Sequence, residues 1–250
     1  MDLAERRLLA AMPLHAITST HGEPGLRARF AIEIEGLPAA QRARLERALG
    51  LAARLHRADR RQREPYLNHL LRVAIRIACY YRVRDADVLC AALLHDAVED
   101  HAAALAPGGG QPEALAALAA RFGDRVAELV AAVTNPEPVP GVDRYQQYRE
   151  HVAASLAASP WARVIKASDF TDNGAGLIHT TGPRLSRLAA KYAPLAPVLA
   201  GLVSLPDTPL DGEAKARVLR QLSQAQERFS AILADGPAQP ETQAEARAEG

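Results

Sequence analysis

The sequence predicts an all-α protein with one principal domain. Two observations lead there. Alanine is abundant, aromatic residues make up only 4% of the 250 positions and β-branched runs are short, a composition that favours helix over strand. From residue 38 onward, apolar residues recur at three- and four-residue spacing through segment after segment. The length is ample for a buried core and suits a single domain.

The elements follow in order. Residues 1–12 form a short amphipathic helix ended by Pro13. "STHGEPG" has loop chemistry, and "ARFAIEIEG" (28–36) alternates apolar and charged residues with period two, the pattern of a strand. One short strand or β-hairpin is therefore expected near the N-terminus, within an extension over 1–40 that packs on the main domain at 41–234. In "PAAQRARLERALGLAARLHRA", Leu45, Leu49, Ala52, Ala53 and Leu55 fall near one helix face. "PYLNHLLRVAIRIACYY" is the next helix, with Pro65 in its first turn. "RDADVLCAALLHDAVED" follows, with Asp85 or Asp87 as N-cap. After the loop "PGGGQP", "PEALAALAARFGDRVAELVAAVTN" reads as two helices meeting near Gly123. The Pro-rich "EPVPGVDR" leads to helices over "YQQYREHVAAS" and "PWARVIKASDFTDNGAGL". Residues 183–234 are expected to give two more, split by "SLPDTPLDGEA". The tail at 235–250 is polar, Pro-containing and aromatic-free, the signature of disorder.

Several function classes find no support. A net charge of +1 provides no global field for nucleic acid or an anionic membrane. No apolar stretch reaches the ~20 residues of a membrane span, and "MDLAERRLLAAMPLHA" has no apolar core of a secretory signal. Cys79 and Cys90 both sit among apolar residues, as reduced thiols of a cytoplasmic protein do.

Chemistry concentrates in "AALLHDAVED" (91–100). An apolar helix runs into His95, Asp96, Glu99 and Asp100, with His101 next. Taken as one helix ending at Asp100, the segment puts His95 and Glu99 on one face and Asp96 and Asp100 on the adjacent one. Acidic groups at a helix C-terminus oppose its dipole, and several carboxylates buried together without a cation are costly. A divalent metal resolves both conflicts, with Zn, Mn or Fe suited to His and Asp donors. His69 in "YLNHLLRVA" and Asp169 in "VIKASDFTDN" stand in similar apolar settings, with His56 and Asp172 as weaker options. The competing reading is a hydrogen-bonded core histidine beside a solvated helix end.

An "HD" pair with a distant upstream His and a downstream Asp resembles the HD-domain metal-dependent phosphohydrolases. Four blocks narrow the resemblance to Rel/Spo-type enzymes. "RRQREPYLNHLLRVA" is similar to their Arg-Lys-x-Gly-Glu-Pro-Tyr-x-x-His segment, and "AALLHDAVED" to their HDxxED block. "RFGDRVAELVAAVTN" and "VIKASDFTDN" resemble the two that follow. The resemblance implies an HD-domain helical bundle and hydrolysis of the 3′-pyrophosphate of guanosine tetra- and pentaphosphate (ppGpp, pppGpp), in the manner of the small stand-alone alarmone hydrolases.

Carried over by position, His69, His95, Asp96 and Asp169 would hold the metal, Mn²⁺ by resemblance. Glu99 and Asp100 would organise and deprotonate the attacking water. Arg60 would lie against guanine, Asn173 would hydrogen-bond the base or its sugar, and Arg61 and Tyr66 would contact nucleotide. The chain departs from the pattern at Arg63, where Gly is usual. It departs again at Phe170 and Asp172, which replace an Arg and a His; that change is expected at the rim of the nucleotide pocket, where it would bear on base selectivity. Two alternatives follow: an HD site acting on another nucleotide, such as an adenine alarmone or NADPH, and a regulatory or antitoxin module paired with a partner alarmone synthetase.

Overall fold

The computed structural model describes residues 2–61, 64–176 and 183–234. Over these the chain is helical almost throughout: α1 (Leu3–Ala11), α2 (Leu14–Ile34), α3 (Ala39–Leu55), α4 (Leu67–Ile75), α5 (Ala86–Leu94), α6 (Ala97–Leu105), α7 (Gln111–Phe122), α8 (Asp124–Val133), α9 (Arg144–Ala158), α10 (Pro160–Gly176), α11 (Pro183–Tyr192), α12 (Leu195–Ser204) and α13 (Gly212–Ala234). The only sheet among the described residues is an antiparallel ribbon. It pairs β1 (Arg60–Arg61) with β2 (Glu64–Pro65), Arg60 opposite Pro65 and Arg61 opposite Glu64.

Helix α5 is the hub, packed against α3, α4, α8 and α10. Every residue from Val88 to Leu94 is buried, so the helix is apolar on all sides, as a helix must be when protein surrounds it. Asp85 is its N-cap: the carboxylate accepts from the amides of Asp87 (2.9 Å) and Val88 (3.4 Å), which decides between the two candidates. Helix α4 lies alongside, buried at every one of its nine residues except Arg72, and continues into a π-helical turn over Arg76–Tyr80. Such turns concentrate at functional sites, and here the turn aims Arg76 at α10: its Nη1 donates to Ser168 O at 3.0 Å. Helices α7 and α8 meet at Gly123, whose φ of 94° lies in the left-handed region that favours glycine.

The strand expected over 28–36 does not exist; these residues are the last turns of α2 and the turn after it. The alternation misled because its charges face inward. Arg29 and Glu33 are buried with Phe30 and Ile34. Arg29 Nε donates to Glu33 Oε1 at 2.7 Å, one helical turn away. The loop chemistry of "STHGEPG" survives as a break at Gly22 (φ 58°, ψ −148°), from which α2 restarts at Pro24. Two further boundaries move. Pro65 belongs to β2 and α4 begins at Leu67. Residues 183–234 hold three helices rather than two, because the chain also breaks at Ala193–Pro194. The tail at 235–250, expected to be disordered, lies outside the described residues. No helix among the described residues is long and apolar enough to cross a membrane.

Candidate metal centre

The segment "LLHDAVED" is not one helix. Helix α5 ends at Leu94, Asp96 turns (φ −95°, ψ −4°), and α6 starts at Ala97. The break corrects the expectation of acids at a helix C-terminus. Glu99 and Asp100 occupy the first turn of α6, where the helix dipole favours them. It also turns His95 and Asp96 toward the side chains that α4 and α10 send inward.

Four groups converge there. His69 Nε2 lies 3.4 Å from Asp169 Oδ1 and 3.7 Å from Asp96 Oδ2. His95 Nε2 lies 3.0 Å from Asp96 Oδ2 and 3.7 Å from Asp169 Oδ1. Both histidines are at most 2% exposed, and neither Nε2 has a hydrogen-bond partner in well-formed geometry. Ligands bonded to one ion at about 2.0–2.2 Å sit roughly 2.9–3.6 Å apart, close to the 3.0–3.7 Å observed. The ring tautomers fit as well. His69 Nδ1 faces Asp172 Oδ2 at 2.9 Å, and His95 Nδ1 faces the carbonyl of Ala92 at 2.9 Å. Each Nδ1 is thereby committed to donating, which leaves an Nε2 lone pair aimed at the common centre. These residues fit a divalent cation.

The electrostatics agree. Burial works against charge on His95, yet Asp96 and Asp169 beside it raise its proton affinity well above the ordinary value. Burial would likewise raise Asp169, but the Lys166 ammonium 3.0 Å away and the two imidazoles hold it well below the usual carboxylate range. The pocket stabilises positive charge, whether proton or metal. Asp100 behaves in the opposite way. The residue is exposed, but the protein around its carboxyl partly desolvates it; that, then the charges of Asp96 and Glu99, pushes it up to about 7.

Behind the cluster, Asp172 anchors a buried lattice. It accepts from Arg72 Nε (2.9 Å) and from Arg76 Nη2 (3.0 Å), while Arg72 also holds Glu64 through Nη2 (2.7 Å). Burial opposes ionisation of Asp172, and Arg72, His69 and Arg76 overcome it. Asp172 is thus neither a rim residue nor a ligand but the group that orients His69. Phe170 is also off the rim, edge-on to Tyr192 (5.9 Å) and Phe229 (5.9 Å) in the core. The two departures expected to alter the nucleotide pocket are both interior.

The remaining expected site residues divide. Tyr66 joins the cluster, its hydroxyl donating to Asp96 Oδ2 at 2.7 Å. Asn173 joins it too: Nδ2 donates to Asp169 Oδ1 at 2.8 Å, while Oδ1 accepts from Arg61. Glu99 stands apart, bonded to Asn135 Nδ2 at 2.9 Å. Arg60 lies exposed on β1, with one contact to the carbonyl of Asp59. Beside Glu99 opens a cavity of about 410 Å³, lined among others by Asn135, Tyr145, Tyr148, Arg187 and Lys191. Its size suits a small-molecule ligand. Lys166, Arg72 and these cavity residues were missed in the sequence. Lys166 had a signal in its three-residue spacing from Asp169; the cavity residues of α9 and α11 had none.

The HD domain family matches residues 48–162. The MESH1 protein of Drosophila melanogaster, a guanosine-3′,5′-bis(diphosphate) 3′-pyrophosphohydrolase, is 35% identical over 134 residues, covering 52% of this chain and 68% of the relative. The chain belongs to the HD-domain family that contains MESH1. The human MESH1 protein is also 35% identical, over 130 residues and 51% of this chain; the match spans 65% of the human protein's length. The HD fold extends beyond that segment. The solved structure of a metazoan ortholog of SpoT, which hydrolyzes ppGpp and plays a role in starvation responses, matches with a TM-score of 0.57 at 26% identity, covering 74% of this chain and 95% of that one.

Proposed function

We propose that this HD protein hydrolyses the 3′-pyrophosphate of ppGpp and pppGpp, releasing pyrophosphate and leaving GDP or GTP. The observation that carries the reading is the pair of buried Nε2 atoms of His69 and His95 facing Asp96 and Asp169. Membership of the family that contains MESH1 supplies the substrate class. His69, His95, Asp96 and Asp169 hold a divalent cation, with Mn²⁺ the reading for its identity. When bound, such an ion polarises a phosphoryl oxygen and makes water a better nucleophile near neutral pH.

The chain's own groups do the rest. Asp100, held near 7, is matched to taking a proton from water at physiological pH. Glu99 keeps Asp100 high by its charge, and its own carboxylate is fixed by Asn135 at the mouth of the cavity. Arg61, held by Asn173, and Arg60 provide guanidinium groups for phosphate oxygens or the face of a purine. Tyr66 stays a hydrogen-bond donor, because burial and then Asp96 raise its proton affinity. Phe170 and Asp172 are both interior, so neither departure from the family pattern meets the nucleotide directly.

The test is pyrophosphate release by purified protein supplied with Mn²⁺ and ppGpp, pppGpp, an adenine alarmone or NADPH in parallel. Release from the guanine alarmones, abolished by Asp96→Ala, is expected. No release with any divalent cation overturns the reading.

A further inference from the structure

A second group of metal-ligating side chains lies outside the centre described above. His56 Nδ1 is 2.7 Å from Asp59 Oδ2, His101 Nε2 is 2.7 Å from that same oxygen, and the two ring nitrogens are 3.2 Å apart. From this geometry we infer that His56, Asp59 and His101 form a second cation site, selective for a zinc-like ion, that ties the turn leading into β1 to helix α6.

The three atoms form a closed triangle small enough for one ion to bridge. Without an ion, both rings can donate to the one Asp59 oxygen, which leaves the two ring nitrogens 3.2 Å apart. If either ring turns its lone pair inward instead, that lone pair faces a carboxylate oxygen at 2.7 Å. A cation at the centre faces a lone pair from every atom. Tetrahedral donors on an ion with bonds of about 2.0–2.2 Å stand roughly 3.3–3.6 Å apart, so seating the ion requires Asp59 to draw back from each ring by roughly 0.6 Å. Two imidazoles and one carboxylate form a donor set that suits Zn²⁺, with one position left for solvent.

The backbone supports the same reading. His56 ends α3 as its C-cap, and α6 leaves helical geometry at His101 (φ −136°, ψ 30°), at the residue that reaches the other two. The rings of His56 and His101 meet edge to face at 4.5 Å. Burial makes His56 harder to protonate, which keeps its ring neutral, as a ligand must be. His56 Nε2 is buried without a partner, but it points away from Asp59 and has the same surroundings with or without an ion.

The site also reaches the first centre. His56 stacks on Tyr66 with ring centroids 4.8 Å apart, and Tyr66 donates to Asp96. An ion at His56 therefore fixes the ring that supports a residue of the other cluster.

Zn²⁺ binding to the full chain, stripped with chelator and followed by calorimetry and metal analysis, tests the inference. Wild type is expected to take up about two equivalents, and His101→Gln about one. His101→Gln keeps a hydrogen-bonding group toward Asp59, so it is the variant to trust if His101→Ala proves unstable by circular dichroism. Asp169→Asn should lose the other equivalent and keep the one that depends on His101, which separates this site from the proposed catalytic one. Full wild-type stoichiometry in folded His101→Gln overturns the inference, as does a wild type with no equivalent sensitive to His101.

Discussion

At the N-terminal helices, Arg29 is buried and each of its nitrogens has a partner. Nε meets Glu33, Nη1 meets the carbonyls of Leu9 and Met12, and Nη2 meets Cys79 Sγ at 3.0 Å. At the α5–α6 junction, His69 and His95 are as deeply buried, their Nδ1 atoms are matched, and their Nε2 atoms are not. Both regions take charge or polarity out of water, a costly step without compensation. The first closes its hydrogen bonds locally and holds two helices together. The second leaves ring nitrogens and carboxylates converging on one point, the arrangement that a bound cation would compensate. A buried polar cluster announces function by what it leaves open, more than by being buried.

That contrast can be broken at either end. The largest effect is expected from Asp96→Ala, which should reduce pyrophosphate release to background, because it removes a proposed cation donor and the acceptor of Tyr66. Asp100→Asn should retain cation binding while lowering kcat by about 10²–10⁴-fold, the usual weight of acid–base assistance; normal turnover would refute Asp100 as the base. Arg29→Ala should destabilise the fold by about 3 kcal/mol in denaturant melts, because it removes the buried 2.7 Å partner of Glu33 and leaves it only Arg84 at 3.8 Å. Cation affinity in the folded fraction should not change, and a shift there would show that the two regions are not separable. Asp172→Asn is the intermediate case: it leaves all four proposed donors in place but loosens His69, and should weaken cation binding by about 10–100-fold.

The smallest effect concerns pH. Asp100 must be ionised to accept a proton, and its folded value is raised to about 7 by burial, Asp96 and Glu99. A bound cation draws that value downward. The release rate should therefore rise with pH through the region at and below about 7 and then level off. A rate that falls as pH rises through that interval contradicts the assignment of Asp100 as base.

How much of this was legible in the sequence follows the same division. His69, His95, Asp96 and Asp169 stood out because ionisable residues in apolar helices conflict with their surroundings. Helices α3 to α8 were readable because apolar spacing dominates there. The N-terminal helix was misread because Arg29 and Glu33 point inward and satisfy each other, so charge no longer marked the solvent face. The break at His95–Asp96 was hidden because no Gly or Pro signals it. Asp172 looked like a change at the rim, since spacing along a helix does not tell which neighbours a side chain will meet; Arg72 and Arg76 decide that from α4 and the π-turn that follows it.

The central claim is that the open lone pairs of His69 and His95, with Asp96 and Asp169, hold the cation on which turnover depends. The most direct measurement is Mn²⁺ binding by electron paramagnetic resonance alongside pyrophosphate release from ppGpp, on wild type and Asp169→Asn. The account predicts that wild type binds Mn²⁺ and releases pyrophosphate in proportion to the bound ion, and that the variant, still folded, loses that bound ion and its turnover together. A variant that binds Mn²⁺ and turns over like wild type would contradict it.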